Sequence, residues 1–419
     1  MSGNWEFNQL TCNFNISIYR VNDKKNTYTT IPNNTINDVI VTSDLDMMFP
    51  IIEITMDDPY CSIIPMFPDD GETILAIYYK DEIGSFLTEF VVNTINLVDY
   101  KIQQSSFIIK GHHIISNILN SKLLYSTGKL PKVSTECINE ILKTNLKDFY
   151  NDFKGTHSAI KLNYISIEDQ TIKDTINYLL LNSHNSSTGI YFLSYNLFKN
   201  KLSLENINDN FKNRKISDLN VSKIATYFGT GLKERAFTIT RTNFINKKDN
   251  DILALDNIAL ENFDQTKRYW SKDIISHNKA MSTLPKTIEN SKYSMTKAAL
   301  KELKDLGGKY TFSQIPKTKW KHNARILNQF KFKDVLQLQT YGLASRNAGE
   351  VYAISVDNPD QPLYKQFYGL WFISRASMVF KVKAKDFSQD ISLIRGDGII
   401  RNGEPFTMKS NSKNIREIK

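Results

Sequence analysis

Residues 51–58 read Ile-Ile-Glu-Ile-Thr-Met-Asp-Asp. From position 52 to 57 the alternation is strict, with Ile52, Ile54 and Met56 on one face and Glu53, Thr55 and Asp57 on the other. A period of two is that of a strand with one face on a core and the other in water, the pattern of an antiparallel sheet. Runs of the same kind surround it: Phe14 to Tyr19, Val39 to Thr42, Thr73 to Tyr79, Phe86 to Thr94 and Phe107 to Lys110, all short and rich in Ile, Val, Phe and Tyr. Pro68 to Glu72 (PDDGE) supplies turn residues between two of them. Residues 1–112 are therefore expected to form a small closed antiparallel β-barrel.

After Gly111 the period changes. Ile114 to Leu123, Ser134 to Phe149 and Ile167 to Leu181 place apolar residues at helical spacing, as at Ile138, Ile141 and Leu142. Ser134 or Thr135 is expected to cap the second helix, and Ser166, with Asp169 three residues on, the third. Gly189 to Ser194 and Lys201 to Leu204 then read as a hairpin, so that residues 113–210 form an α/β insert. Strand character resumes at Ala236 to Thr242, gives way to polar, Asn- and Lys-rich sequence, and passes a helix at Met295 to Leu306 stopped by Gly307-Gly308. It returns at Phe332 to Thr340, Glu350 to Ser355, Phe367 to Ser374, Met378 to Ala384 and Asp390 to Ile394. A sheet interrupted and resumed is the mark of an insertion. The division expected is a first barrel at 1–112, the insert at 113–210, a discontinuous second barrel at 211–245 plus 315–400, a polar, helical insertion at 246–314 and a frayed tail at 401–419. The fold class is α+β and multi-domain, as 419 residues with 41% hydrophobic content exceed what a single core holds.

Charge is split along the chain. Residues 1–100 hold 4 Lys and Arg against 15 Asp and Glu, a net of −11; the whole chain is +9, so the remainder carries +20. Between Lys292 and Lys333 stand 11 basic residues and 2 acidic ones. Ends so different in charge imply different surroundings, or simply a solvated basic segment. No apolar run approaches the roughly 20 residues of a membrane span, and the first residues lack the pattern of a secretory leader, so a chain made and matured in the cytosol is expected.

Chemical motifs are few. Gly229 to Lys233 (GTGLK) and Gly308-Lys309-Tyr310 lack the spacing and the hydroxyl of a phosphate-binding loop. Asp57-Asp58 and Asp69-Asp70 are neighbours in sequence and read as carboxylates solvated in turns rather than an acid/base pair. Cys12, Cys61 and Cys137 are scattered and read as reduced thiols; His112 and His113 fall on opposite faces of a strand. The expectation is of no catalytic residues, no metal and no cofactor. The sharpest pattern is Phe380, Val382 and Ala384 alternating with Lys381, Lys383 and Lys385, one apolar and one basic face of a strand. Two readings of the lysines stay open, contact with an acidic partner and simple protection of a sheet edge.

The motifs of the C-terminal half resemble a known family. Tyr341 to Val351 (YGLASRNAGEV), Tyr368 to Ile373 (YGLWFI) and Asp386 to Arg395 (DFSQDISLIR) are similar in order and spacing to the second barrel of phage baseplate central hub proteins, relatives of the hub part of contractile injection system spikes. Pro50 to Asp57 with Gly71 to Lys80, and residues 166–204 with their Gly-Ile-Tyr-Phe-Leu, look like the first barrel and the insert of the same family, whereas 246–320 departs from it by being longer and more polar. The resemblance implies a non-enzymatic virion protein with two tube-type barrels per chain. Three chains would then make a pseudo-sixfold ring that stacks on the tail tube protein, holds the central spike protein, meets other baseplate proteins and lets genomic DNA pass. On that reading an acidic first barrel would line the channel, and Glu53, Asp57, Lys381, Lys383 and Lys385 are the interface candidates. Two other classes compete. A nucleic-acid-binding protein would use 292–333, with Tyr310, Phe312, Trp320 and Phe330 as stacking platforms; a tail-associated cell-wall hydrolase would build its site from distant residues.

Overall fold

The computed structural model describes residues 4–7, 10–20, 29–58, 63, 65, 67, 73–81, 84–101, 104–122, 132–158, 161–162, 170–183, 190–207, 209–210, 217–220, 239–246, 257–264, 269–276, 334–355 and 369–395. The chain opens with eight strands: β1 (Asn4–Phe7), β2 (Leu10–Arg20), β3 (Thr29–Thr30), β4 (Ile36–Asp44), β5 (Ile51–Asp58), β6 (Thr73–Lys80), β7 (Ser85–Lys101) and β8 (Gln104–His113). The alternation of β5 is realised residue by residue: Ile52, Ile54 and Met56 are buried, while Glu53, Thr55 and Asp57 lie on the partly open face. Asp58, next on the buried side, is held by the backbone N–H of Ile63, which donates to its Oδ2 at 2.6 Å.

Next come α1 (Ser116–Ser121), β9 (Lys132–Val133), α2 (Ser134–Leu146), β10 (Tyr150–Asn151), β11 (Lys161–Leu162), α3 (Ile172–Ser183), β12 (Tyr191–Asn196) and β13 (Lys201–Asn206). The helix starts differ from expectation. Val133 precedes α2, and its N–H donates to the Glu136 carboxylate at 3.4 Å. Ser134 and Thr135 lie inside the first turn, where Ser134 Oγ accepts from Ser183 and Thr135 Oγ1 accepts the N–H of Ser158. Thr171 caps α3, its Oγ1 accepting the N–H of Asp174 at 3.1 Å. Ser166 lies outside the described residues.

The remaining strands are β14 (Ser217–Asn220), β15 (Ile239–Asn246), β16 (Asn257–Asp264), β17 (Tyr269–Ser276), β18 (Asp334–Tyr341), β19 (Val351–Ser355), β20 (Gly369–Lys381) and β21 (Asp386–Arg395). Within the region expected to be polar and helical, β16 and β17 form an antiparallel hairpin. The two strands expected at 367–374 and 378–384 are one, β20, with a register shift between Ile373 and Arg375 that lets it bend without breaking. It stops at Lys381: residues 382–385 are a turn, with Lys385 at a φ of 51°. The lysine alternation therefore runs off the end of a strand. The helix expected at 295–306, the turn at 68–72, the loops at 229–233 and 308–310, and the tail at 401–419 lie outside the described residues.

Strand pairing contains an internal repeat. In the first half the hydrogen-bonded path runs β2-β6-β7-β8-β5-β4; in the second it runs β14-β19-β20-β21-β18-β15. Taken in chain order, the six strands of each half pair in the same scheme, first with fourth, second with third, third with sixth, fourth with fifth and fifth with sixth. The two copies differ in the sense of one pair, β2 with β6 being antiparallel and β14 with β19 parallel. The halves join where β4 lies antiparallel along β20, from Asp44 opposite Arg375 to Asp38 opposite Lys381, giving one 14-stranded sheet. Among the described residues neither half closes its own ladder into a ring. The first half curls until Phe14 of β2 stacks on Phe380 of β20, centroids 4.7 Å apart, with Phe387 of β21 4.2 Å beyond.

Among the described residues two apolar cores result. The larger gathers Phe14, Ile54, Phe90 and Phe107 with the helices of the insert, and takes Met378, Phe380 and Phe387 from the ends of β20 and β21. The smaller holds Leu336, Leu338, Trp371, Ile373, Ile391 and Leu393. β20 and β21 thus serve both cores along their length.

The insert is clamped between the halves by β12, which explains why its sequence is an apolar run rather than an alternation: both faces are covered. Tyr191, Leu193 and Tyr195 join the larger core, while Phe192 meets Phe372 edge-on at 5.0 Å and Ser194 Oγ donates to the carbonyl of Ala348 at 2.7 Å. The loop it meets turns at Gly349, whose φ of +97° few L residues adopt, and where a Cβ would lie 2.9 Å from the Phe192 ring. On the other side sits His113, buried at the end of β8. The N–H of Ile115 donates to its Nδ1, so Nε2 carries the proton and donates to Tyr195 Oη at 2.9 Å; the tyrosine in turn donates to Asn200 Oδ1. Burial, with the neighbouring His112, pushes the His113 pKa down to about 3 from the ordinary 6.5. Between those values the unfolded chain binds the extra proton, so the stability that neutral His113 contributes is complete above about pH 6.5 and is lost as pH falls toward 3.

Two outcomes follow from this packing. Phe380→Ala, which empties the seam between the halves, is expected to cost about 3–5 kcal/mol, read as a lowered thermal midpoint by circular dichroism. His113→Gln is expected to flatten the acid-side loss of stability between about pH 6.5 and pH 4 relative to the parent protein, read from thermal melts across that range.

Candidate assembly surface

The partly open face of the sheet carries Glu53, Asp57 and Lys381, and the turn that follows β20 carries Lys383 and Lys385. Glu53 stands opposite Lys110 in the β5–β8 ladder, with Nζ to Oε2 at 2.9 Å. Asp57, two positions along the same strand, accepts from Lys383 at 2.5 Å and from Ser106 Oγ at 2.7 Å. The contact with Lys383 is the main reason that the Asp57 carboxyl sits below the ordinary carboxylate value; partial burial opposes it, and Ser106 and Asn37 add to it. Lys383 belongs to the turn joining β20 to β21, and that turn is pinned to β4 by the N–H of Val382 donating to the carbonyl of Asn37 at 2.8 Å. Lys381 lies opposite Asp38 in the β4–β20 ladder, and Lys385 follows exposed on the turn. Two acidic residues of β5 thus meet lysines from later in the chain, Glu53 with Lys110 and Asp57 with Lys383, each pair worth little singly because water reaches both partners.

Beyond the seam, a pocket of about 450 Å³ opens over the second half between Gln337 and Gln339 of β18, Arg375 and Ser377 of β20, and Asp390 and Ser392 of β21. Gln339 donates to Asp390 at 3.1 Å and Arg375 Nε to Ser377 Oγ at 3.4 Å, so its polar groups are largely turned to one another. Among the described residues no three His, Cys, Asp or Glu gather as a metal site would require. Cys137 is a buried free thiol whose pKa is pushed up to about 11 by loss of solvent, the opposite of an activated nucleophile. His112 and His113 do point to opposite sides, the first to Asn117 and the second inward to Tyr195. The basic segment 292–333 and its aromatic residues lie outside the described residues.

Three features escape a reading of the sequence. Arg346, inside the family-like motif, is almost wholly buried; its guanidinium donates to Thr340 Oγ1 at 2.7 Å and Gln389 Oε1 at 3.1 Å and lies over the Tyr352 ring. His113 and Tyr195 meet across 82 residues. The third is an edge. β6 covers only Ser85 to Val91 of β7, and from Val92 on, among the described residues, that strand pairs with β8 alone, through register shifts at 92/94 and 97/99. Adjacent Leu97 and Val98 are 55% and 61% exposed there, an open apolar edge of the sort that soluble proteins normally cover or blunt with charge.

No known family model matches the chain. No curated protein matches it either. Among solved structures it is similar to a tail protein from Neisseria meningitidis MC58, with 10% identity and a TM-score of 0.48 over 94% of this chain and 99% of the other. A 43 kDa tail protein of prophage MuSo2 from Shewanella oneidensis shows 9% identity and a TM-score of 0.48, over 91% and 96% of the two chains. An E. coli component of the type VI secretion system, itself described as structurally similar to bacteriophage T4 tail proteins, shows 8% identity and a TM-score of 0.46, over 89% and 76%.

The ion pair at the seam gives a direct check. Lys383→Ala is expected to return the Asp57 carboxyl toward the ordinary 3.8, followed by NMR titration, while stability falls by less than about 1 kcal/mol because the pair is partly solvated.

Proposed function

We propose that the chain is the central hub of a phage-type tail baseplate, a structural and non-enzymatic subunit of which three copies form a ring of six similar sheet modules. The observation that carries this reading is the repeated pairing scheme together with the junction between its two copies, β4 laid along β20. A chain that joins two like modules edge to edge has already made, within itself, the contact that a ring needs between subunits. Repeating a heterologous contact by a rotation that closes gives a cyclic assembly, and three chains of two modules give six. Such a ring matches a sixfold tail tube on one side and a threefold spike on the other.

In this reading residues 1–112 and 211–245 plus 315–400 are the two modules, 113–210 braces them from one side, 246–314 is an added subdomain and 401–419 a tail. Lys381 and Lys385 face acidic neighbours in the baseplate, while Asp57 and Lys383 bridge the two modules beside the seam. Genomic DNA passes through the ring without being read. A lumen lined by paired charges, as at Glu53 with Lys110, presents DNA with little net attraction.

The test is assembly. Light scattering on the purified chain is expected to give three times the chain mass of 48.3 kDa, and electron-microscopic class averages a ring with threefold symmetry. A particle that stays monomeric at high concentration, or a ring of any other order, overturns the proposal.

A further inference from the structure

We infer that the uncovered half of β7 is the acceptor edge for β15 of a second copy, paired antiparallel in the register that β4 takes on β20. This deepens the ring reading and rests on it. The pairing scheme makes β4 the counterpart of β15 and β7 the counterpart of β20. Each correspondence is marked by an irregularity at the same place. β4 shifts register between Ile36 and Asp38 against β5, and β15 between Ile239 and Arg241 against β18. β7 shifts between Val92 and Thr94 against β8, and β20 between Ile373 and Arg375 against β21. In both long strands the shift falls where cover by the preceding strand ends, at Val91 for β6 on β7 and Phe372 for β19 on β20.

Within the chain, β4 fills the stretch of β20 beyond that point, Arg375 to Lys381. The same stretch of β7, starting at Thr94, has β8 on one side and, among the described residues, no strand on the other. β15 likewise ends the sheet, pairing with β18 alone among the described residues, although its counterpart β4 has strands on both sides. One donor edge and one acceptor edge of the same type are thus left over. The two edges do not pair with each other in the chain: β8, β5, β4, β20, β21 and β18 lie between them in the sheet. A second copy supplies the partner.

Counting from the irregularities, Thr94 takes the place of Arg375 and Arg241 that of Asp38. Arg375 faces Asp44 and Lys381 faces Asp38, so Asn246 comes opposite Ile95 and Phe244 opposite Leu97. The pairing would also cover the exposed Leu97 and Val98.

The experiment uses the full chain with Cys12, Cys61 and Cys137 replaced by alanine, carrying Leu97→Cys with Phe244→Cys. Directly opposed antiparallel positions put Cβ atoms within disulfide reach. Mild oxidation is expected to shift the band on a non-reducing gel from one chain to two and three. Leu97→Cys with Asn243→Cys, one residue out of register and so on the opposite face, is expected to give no such shift. Hydrogen exchange on the unaltered protein is the second measurement, with slowed exchange of both 94–101 and 239–246 in the assembled form. Trimers on light scattering without cross-linking in register and without that protection overturn the strand pairing and leave the ring standing; absence of trimers in the unaltered chain overturns both.

Discussion

The pairing of β4 with β20 is the constraint on which the rest of the structure depends. It is a backbone ladder of seven residues on either side, from Asp44 opposite Arg375 to Asp38 opposite Lys381, between segments more than three hundred positions apart. Beneath it the Phe14, Phe380 and Phe387 rings stack, and above it Lys383 reaches Asp57. The apolar stack supplies most of the stabilisation, since buried rings contribute several kilocalories each and a solvated ion pair well under one. The ladder supplies the register. Because a slip of one residue would exchange the faces of β20, the buried Phe380 and exposed Lys381 hold that register.

The insert makes the seam rigid. β12 touches the first half through Tyr195 and His113 and the second through Phe192, Ser194 and the loop at Gly349, so that motion of one half against the other would break buried hydrogen bonds on both sides. Asn210 adds a bond to the carbonyl of Gly349 at 3.0 Å. The buried Arg346 works within the second half in the same sense, tying Thr340 at the end of β18 to Gln389 in β21, with Gln389 Nε2 returning to the Arg346 carbonyl. A buried guanidinium is costly unless its donors are met, and here it fixes the loop against which β12 packs.

Much of the architecture was legible because it is local. The alternation at 51–58, the helical spacing at 134–149 and the hairpin at 189–204 each predicted an element at the place where it stands, since period and side-chain burial are coupled within a few residues. The errors were also local in origin. The lysine alternation at 381–385 mimics a strand, but only Lys381 belongs to β20: the chain turns at 382–385, where the N–H of Lys385 donates to the carbonyl of Val382 and Lys385 takes a positive φ. Ser134 and Thr135 have the hydroxyls of helix caps, but Ser183 and Ser158, from elsewhere in the chain, use them.

What the sequence by itself determined is the inventory: a β-rich chain, helices between its two halves, and charge concentrated at opposite ends. Those properties follow from composition and short-range period. Tertiary structure alone decided that the halves share one sheet, that Glu53 and Asp57 of β5 meet lysines from β8 and the 382–385 turn, and that among the described residues one half of β7 has a strand on one side only. The physical reason is that strand partners are chosen by burial and by register across long chain separations, and neither is written in any short stretch of residues.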